Sequence, residues 1–289
     1  MLKSNEFLFT SQFSNNAVII LDALSDTDLQ TARRLSDDLL CLTLSDGTPY
    51  CRYVRIESAD ELLDALETIR HECERNLKPI IHFEAHGSKE EGLQIGASGE
   101  YVSWQEISDQ LVKINSITKN NLGIVMAACF GLYAISPIKL TSKAPFYFLI
   151  GASNDVSAGY IDEAMCRFYR KLFDLRSLDD AMTEVDNEFK QFHSERFFCV
   201  SFGKYIRRAC MGRGAANRVE RLVSKVFDSG TPRNRENLRK IRRSAKTFVK
   251  SSQRQHDAFA RLARNFLHGR VSMSFEDFEN FVKGSAAER

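Results

Sequence analysis

Five apolar runs alternate with amphipathic stretches along the first part of this chain, and that alternation restricts the fold class before any motif is considered. The runs are AVIILDA (residues 17–23), YCRYVRIE, PIIHFEAH, residues 122–128 and PFYFLIGA (145–152), rich in β-branched and aromatic residues. The most continuous of them suit strands covered on both faces. The intervening stretches carry helix signals. Asp26 or Thr27 can cap LQTARRLSDDLLCL, Ser58 with Glu61 offers a capping box for ADELLDALETIRHECER, and Ser103 with Glu106 does the same for WQEISDQLVKI. EGLQIGASGEYVSW reads as a hairpin turning near residues 97–99. Two further helices are expected around 161–173 and 179–192, with FFCVSF as a last strand. Strands separated by helices pair in parallel, which predicts an α/β sandwich, a mostly parallel sheet flanked by helices. In such sheets, functional residues collect at the carboxyl ends of the strands.

Charge divides the chain differently. Of its 289 residues, those up to Gly203 include 19 Lys and Arg against 30 Asp and Glu; from Lys204 onward the count is 21 against 8. We therefore expect a domain over 1–203 and a basic α-helical C-terminal region over 204–289. In that region MGRGAANRVERLVSKVFDSG, TPRNRENLRKIRRSAKTFVKSSQ, RQHDAFARLARNFLHG and SFEDFENFVKG read as helices, with breaks at Gly230-Thr231-Pro232 and Ser251-Ser252. Leu222, Val223, Val226, Phe248, Phe259, Leu262 and Phe266 recur at helical spacing, which favours packed amphipathic helices and partner docking over a loose arm. The clustered Lys and Arg also make nucleic acid a possible partner through residues 204–289, and a membrane surface or a cleavable inhibitory segment are further alternatives. The polar start and the lack of an apolar run near 20 residues point to a cytoplasmic protein without a membrane span. Seven scattered cysteines with no CxxC pair argue against a zinc ribbon or redox pair and suit mostly buried thiols.

The chemistry concentrates in KPIIHFEAHGSKE (residues 78–90) and NLGIVMAACFGLYA (121–134). A metal site is one reading of the first, since on a strand His82, Glu84 and His86 share a face. The glutamate is misplaced for a helical zinc-protease motif, however, and no third ligand set is visible. A second reading pairs His86 with Cys129, each at the end of a strand. A thiol is mostly protonated at neutral pH, so a nearby imidazole must take its proton. The amides of Gly87 and Cys129 could then hold an oxyanion. The bland alternative is a buried strand cysteine that only packs.

IIHFEAHG followed by IVMAACFG resembles the two signature strands of the CHAT peptidases, a branch of the caspase-like cysteine proteases of clan CD. PFYFLIGASNDVSAGYIDEAMCRFYRKLF resembles that family's next strand, its Asp-containing turn and the following helix, so the likeness covers roughly residues 80–173. The resemblance implies a caspase-like sandwich and a cysteine endopeptidase working as a dyad, with Cys129 as nucleophile and His86 as base and then acid. It implies no metal or cofactor. His82 matches the family's first histidine, read as structural. Glu84 departs from a usually small position; it either touches substrate, orients His86, or simply meets Lys89 or Arg52.

Family members often build the pocket for the residue before the cut from the segment that is GASNDVSAG here. Asn154 and Asp155 are therefore candidate substrate-binding residues, with Asp155 favouring a basic side chain. Against this, Asp155 or Ser157 can serve merely as a helix cap. A preference for aspartate would need an arginine lining, and Arg52, Arg55 and Arg167 sit on no matching motif. The resemblance further implies a protein substrate, an activating or sensor partner, and a place in bacterial defence or cell death. The rival of a different class is a catalytically silent caspase-like adaptor acting through its basic tail.

Overall fold

A computed structural model describes residues 11–43, 47–185 and 188–287. Its contacts divide them into two compact units, one of residues 11–194 with Phe266–Arg270, the other of 195–265 and 271–287. The first unit is built on a six-stranded sheet. Its strands are β1 (Ala17–Asp22), β2 (Cys51–Arg55), β3 (Pro79–Glu84), β7 (Gly123–Ala127), β8 (Phe148–Ala152) and β9 (Phe189–His193), in the order β2-β1-β3-β7-β8-β9. All neighbours pair in parallel except β8 and β9. A small antiparallel sheet follows β3 and consists of β4 (His86–Ser88), β5 (Gly92–Gln94) and β6 (Tyr101–Val102).

The central strands are buried on both faces, as their continuous apolar runs require. Val18, Ile20, Ile80, Val125 and Ile150 join one core cluster, together with Leu35 of α1 (Thr31–Leu39), Met165 and Phe168 of α4 (Ala158–Leu175) and Leu178 of α5 (Leu178–Met182). The alternate residues Ile19, Ile81, Ile124 and Leu149 are equally buried and by strand periodicity point to the opposite face. Helices α2 (Ala59–Cys73) and α3 (Trp104–Ile117) pack against each other and bury Leu62, Leu66, Ile107 and Leu111. The Ser103–Glu106 capping box forms with both reciprocal bonds. Ser58 accepts from the Glu61 amide, while the Glu61 side chain reaches the amide of Glu57, not that of the cap residue.

Three expectations are corrected. FFCVSF is no strand: it lies inside α6 (Ser194–Cys210), where Phe198, Phe202 and Ile206 are buried at helical spacing. Short apolar runs do not separate buried helix from strand by periodicity alone. The expected helix over 179–192 reduces to α5, capped by Ser177, and its end becomes β9. There Phe189 packs on Tyr160 and Phe192 on Phe146, and the open edge of β8 supplies backbone partners that outweigh local preference. Neither Asp26 nor Thr27 caps α1; its cap position is Gln30, without a side-chain bond.

The second unit contains most of α6 together with α7 (Gly212–Asp228), α8 (Arg235–Lys250), most of α9 (Ser252–Phe266) and α10 (Phe275–Ala287). Helices α7 and α8 form a hairpin on Ala215, Val219, Val223, Ala245 and Val249. Among the described residues, no helix is long and apolar enough to cross a membrane.

Candidate active site

Strands β3 and β7 are parallel neighbours in a register that sets Glu84 opposite Ala127. His86 and Cys129 each lie two residues farther on, at the carboxyl edge of the sheet. The small residues Ala127 and Ala128 are buried just before the cysteine. Gly87 packs so tightly there that a Cβ would come within 1.9 Å of the Cys129 carbonyl oxygen. Only glycine allows this approach, and it fixes the His86-Gly87 backbone against the cysteine.

His82 and Glu84 share a face as expected, but His86 does not join them. β3 stops at Glu84, and His86 opens β4, where it pairs with Gln94. The switch between sheets turns the His86 side chain outward, to 53% exposure. His82 is completely buried; its Nε2–H donates to Glu84 Oε2 at 2.7 Å, and Nδ1 lies 3.0 Å from the Tyr169 hydroxyl. The Thr31 hydroxyl donates to the other Glu84 oxygen. Glu84 is 2% exposed with both carboxylate oxygens engaged. The expectation that it touches substrate is therefore corrected, as is its pairing with Lys89 or Arg52; Arg52 binds Glu72 instead.

Cys129 is half-buried, and the Val156 amide donates to its sulfur at 3.4 Å. The Val156 carbonyl lies 3.7 Å from the same sulfur, so the loop after β8 closes over the thiol. Phe130 adopts a left-handed conformation with φ 57°, and its amide bonds the Asn154 carbonyl at 3.2 Å. The Gly131 amide bonds the Ala128 carbonyl at 3.2 Å. Neither of those two amides is free to serve the site.

Asn154 and Asp155 are both exposed beside that loop. Ser157, not Asp155, caps α4 by accepting from the Tyr160 amide. Asp155 makes no ion pair among the described residues, so its carboxylate is not committed to a structural role. Sequence reasoning missed an adjoining aromatic wall in which Phe130 meets Tyr133 edge-on at 6.1 Å and Lys89 lies over the Tyr133 ring.

It also missed Asp28. In the loop after β1, Asp28 Oδ2 accepts from His86 Nε2 at 3.0 Å. The same oxygen accepts from the amide and the hydroxyl of Ser25, both at 2.8 Å. Burial would raise the Asp28 carboxyl, but the bonds from Ser25 and His86 outweigh it and hold the carboxyl below the ordinary aspartate range. Only the pairing of β1 with β3 brings residues 58 positions apart together, and no local pattern announces that.

No protein-family model matches the chain, and no curated protein matches its sequence.

Proposed function

We propose that this chain is a caspase-like cysteine endopeptidase of the CHAT type. The observation that carries the reading is the placement of His86-Gly87 against Cys129 at the carboxyl ends of two neighbouring parallel strands. Cys129 gives its proton to His86 and attacks the substrate carbonyl through sulfur. The amides of Gly87 and Cys129 stabilise the oxyanion, and His86 returns the proton to the leaving amine. Water, deprotonated by His86, then releases the acyl group from the thiol. The exposed Asp155 carboxylate, with Asn154 beside it, selects a basic residue before the cut. The Val156 loop over the sulfur supports a latent enzyme whose loops reorder when a partner or signal binds.

The test is a digest of a proteome-derived peptide library, read by mass spectrometry. Cuts should disappear with Cys129→Ala and slow by about 10²–10⁴-fold with His86→Ala. Cuts that persist in Cys129→Ala would sink the assignment. Aspartate or small apolar residues before the cut would remove the role given to Asp155.

One observation favours a second reading, an adaptor working through its basic helices. Arg235, Arg239, Arg243, Lys246 and Lys250 are all exposed on α8, at successive steps of three or four residues. They form one stripe along the helix, and among the described residues none is in an ion pair. A library left uncut by the wild-type protein, with the stripe binding its ligand, would favour this reading.

A further inference from the structure

We propose that Asp28 is a positioning residue of this site: its carboxylate holds His86 as the Nε2–H tautomer, so that Nδ1 is the nitrogen exchanging a proton with the Cys129 thiol. The inference rests on the cysteine-peptidase reading and extends it from two residues to three.

The assignment follows from hydrogen-bond chemistry. An ionised carboxylate only accepts, so the ring nitrogen 3.0 Å from Asp28 Oδ2 must carry a hydrogen. Neutral imidazole has one N–H, and with Nε2 committed the lone pair lies on Nδ1. When Nδ1 takes the Cys129 proton, the imidazolium forms beside a fixed negative charge, which favours the thiolate–imidazolium pair. Asp28 keeps its charge throughout. The proton passes from sulfur to Nδ1, then to the leaving amine, and the attacking water replaces it at Nδ1.

An exposed carboxylate–histidine contact usually contributes little, because both side chains wander. Here the carboxylate is clamped. The Ser25 amide and hydroxyl share its Oδ2, and the Gln30 carboxamide bonds the carbonyls of both Ser25 and Asp28. The Gly96 amide holds the end of β1 through the Ala23 carbonyl at 2.7 Å. A Cβ at Gly96 would come within 2.4 Å of the Ser25 nitrogen, so the hairpin braces the aspartate loop directly. The other charged groups on the segments around His86 are Asp26, Lys89, Glu90, Glu91 and Asp155. Asp26 is taken by Arg55 at 3.0 Å and Lys89 rests over Tyr133; Asp28 is the carboxylate bonded to the imidazole.

The pH profile of Cys129 alkylation by iodoacetamide tests this in the full-length protein. Mass spectrometry of the Cys129 peptide gives the rate, with the exposed Cys41 as internal reference. Burial pushes Cys51 up to about 11 and Cys73 to about 12, so neither competes near neutrality. Asp28→Asn should move the acid limb upward by about one pH unit, a roughly tenfold slower reaction at pH 6. Cys41 should not respond, and Asp28→Glu should recover part of the loss. In His86→Ala, adding Asp28→Asn should change nothing further, because Asp28 acts through His86. A profile unmoved by Asp28→Asn, the same shift in the His86→Ala background, or identical profiles for wild type and His86→Ala would each overturn the proposal. If the asparagine variant does not fold, Ser25→Ala, which loosens the clamp, must produce a smaller shift of the same sign or the idea fails. Because alkylation needs no peptide substrate, a wild type that cuts nothing counts against the peptidase reading alone.

Discussion

Glu84 and His82 occupy a site where burial makes hydrogen bonding obligatory. The carboxylate receives the His82 Nε2–H and the Thr31 hydroxyl, and Tyr169 completes the imidazole on its other side. Burial raises the Tyr169 hydroxyl well above its ordinary value, with smaller contributions from Cys51 and Glu84, so it remains a neutral partner. Every polar atom of the pair is served, and this explains how a glutamate is accommodated in the core. Removing one member strands the others, and a buried polar group without a partner costs about 1–3 kcal/mol. Glu84→Ala deserts two donors and opens a cavity, so we expect a loss of about 3 kcal/mol or more, with Glu84→Gln losing less. Urea unfolding reads both directly; a Glu84→Ala midpoint equal to that of the wild type would show that the network contributes nothing.

The segment Phe266–Arg270 illustrates how an element can belong to a unit distant in sequence. The Ala144 amide bonds the Phe266 carbonyl at 2.9 Å, His268 Nε2–H donates to the Ala144 carbonyl at 2.7 Å, and Arg270 reaches the Asn121 side chain at 2.8 Å. Burial lowers the His268 imidazole below its usual value, outweighing the favourable carbonyl bond, with Lys143 adding to the depression. A histidine depressed in the folded state contributes stability that is present above its unfolded value near 6.5 and is lost as pH falls below it. The wild-type melting temperature should therefore drop between pH 7 and 5.5 by more than that of His268→Gln, and parallel curves would refute the assignment. What sequence could and could not foresee follows the same division between local and distant contacts. β1, β3 and β7 were legible because doubly covered strands must be apolar throughout, and the Ser103 cap because its partner is three residues away. The approach of the Gly87 backbone to Cys129 was legible too, since both follow neighbouring strands of one sheet. The Asp28 contact and the return of residues 266–270 depend on partners 58 to more than 100 positions away, whereas His86 leaves its expected face through a local pairing with Gln94 that ends β3 early. FFCVSF failed for another reason, a run too short to reveal its period.

Across the whole chain, the acidic body and the basic tail call for separate physical accounts. The tail's charge is only partly consumed by its own packing. Arg242 grips Glu220 through two bonds at 2.9 and 2.8 Å, pinning α8 to α7, and Lys240 meets Glu236 at 2.6 Å. The stripe from Arg235 to Lys250 lies outside these pairs and runs about 22 Å at 1.5 Å per residue. That length spans about six phosphates of one strand at 3.4 Å each, a reach that suits a nucleic-acid backbone. Each phosphate neutralised releases counterions, giving a slope in log affinity against log salt of about −0.9 per contact on a duplex. The prediction is that the full chain binds fluorescent duplex DNA with a steep salt dependence. Arg239→Glu with Arg243→Glu should flatten the slope by about two contacts and weaken binding uniformly across sequences. Both arginines are exposed and make no ion pair among the described residues, so the double variant should melt with the wild type. An unchanged slope would take nucleic acid away from this helix, and the stripe's ligand would then be sought among acidic proteins.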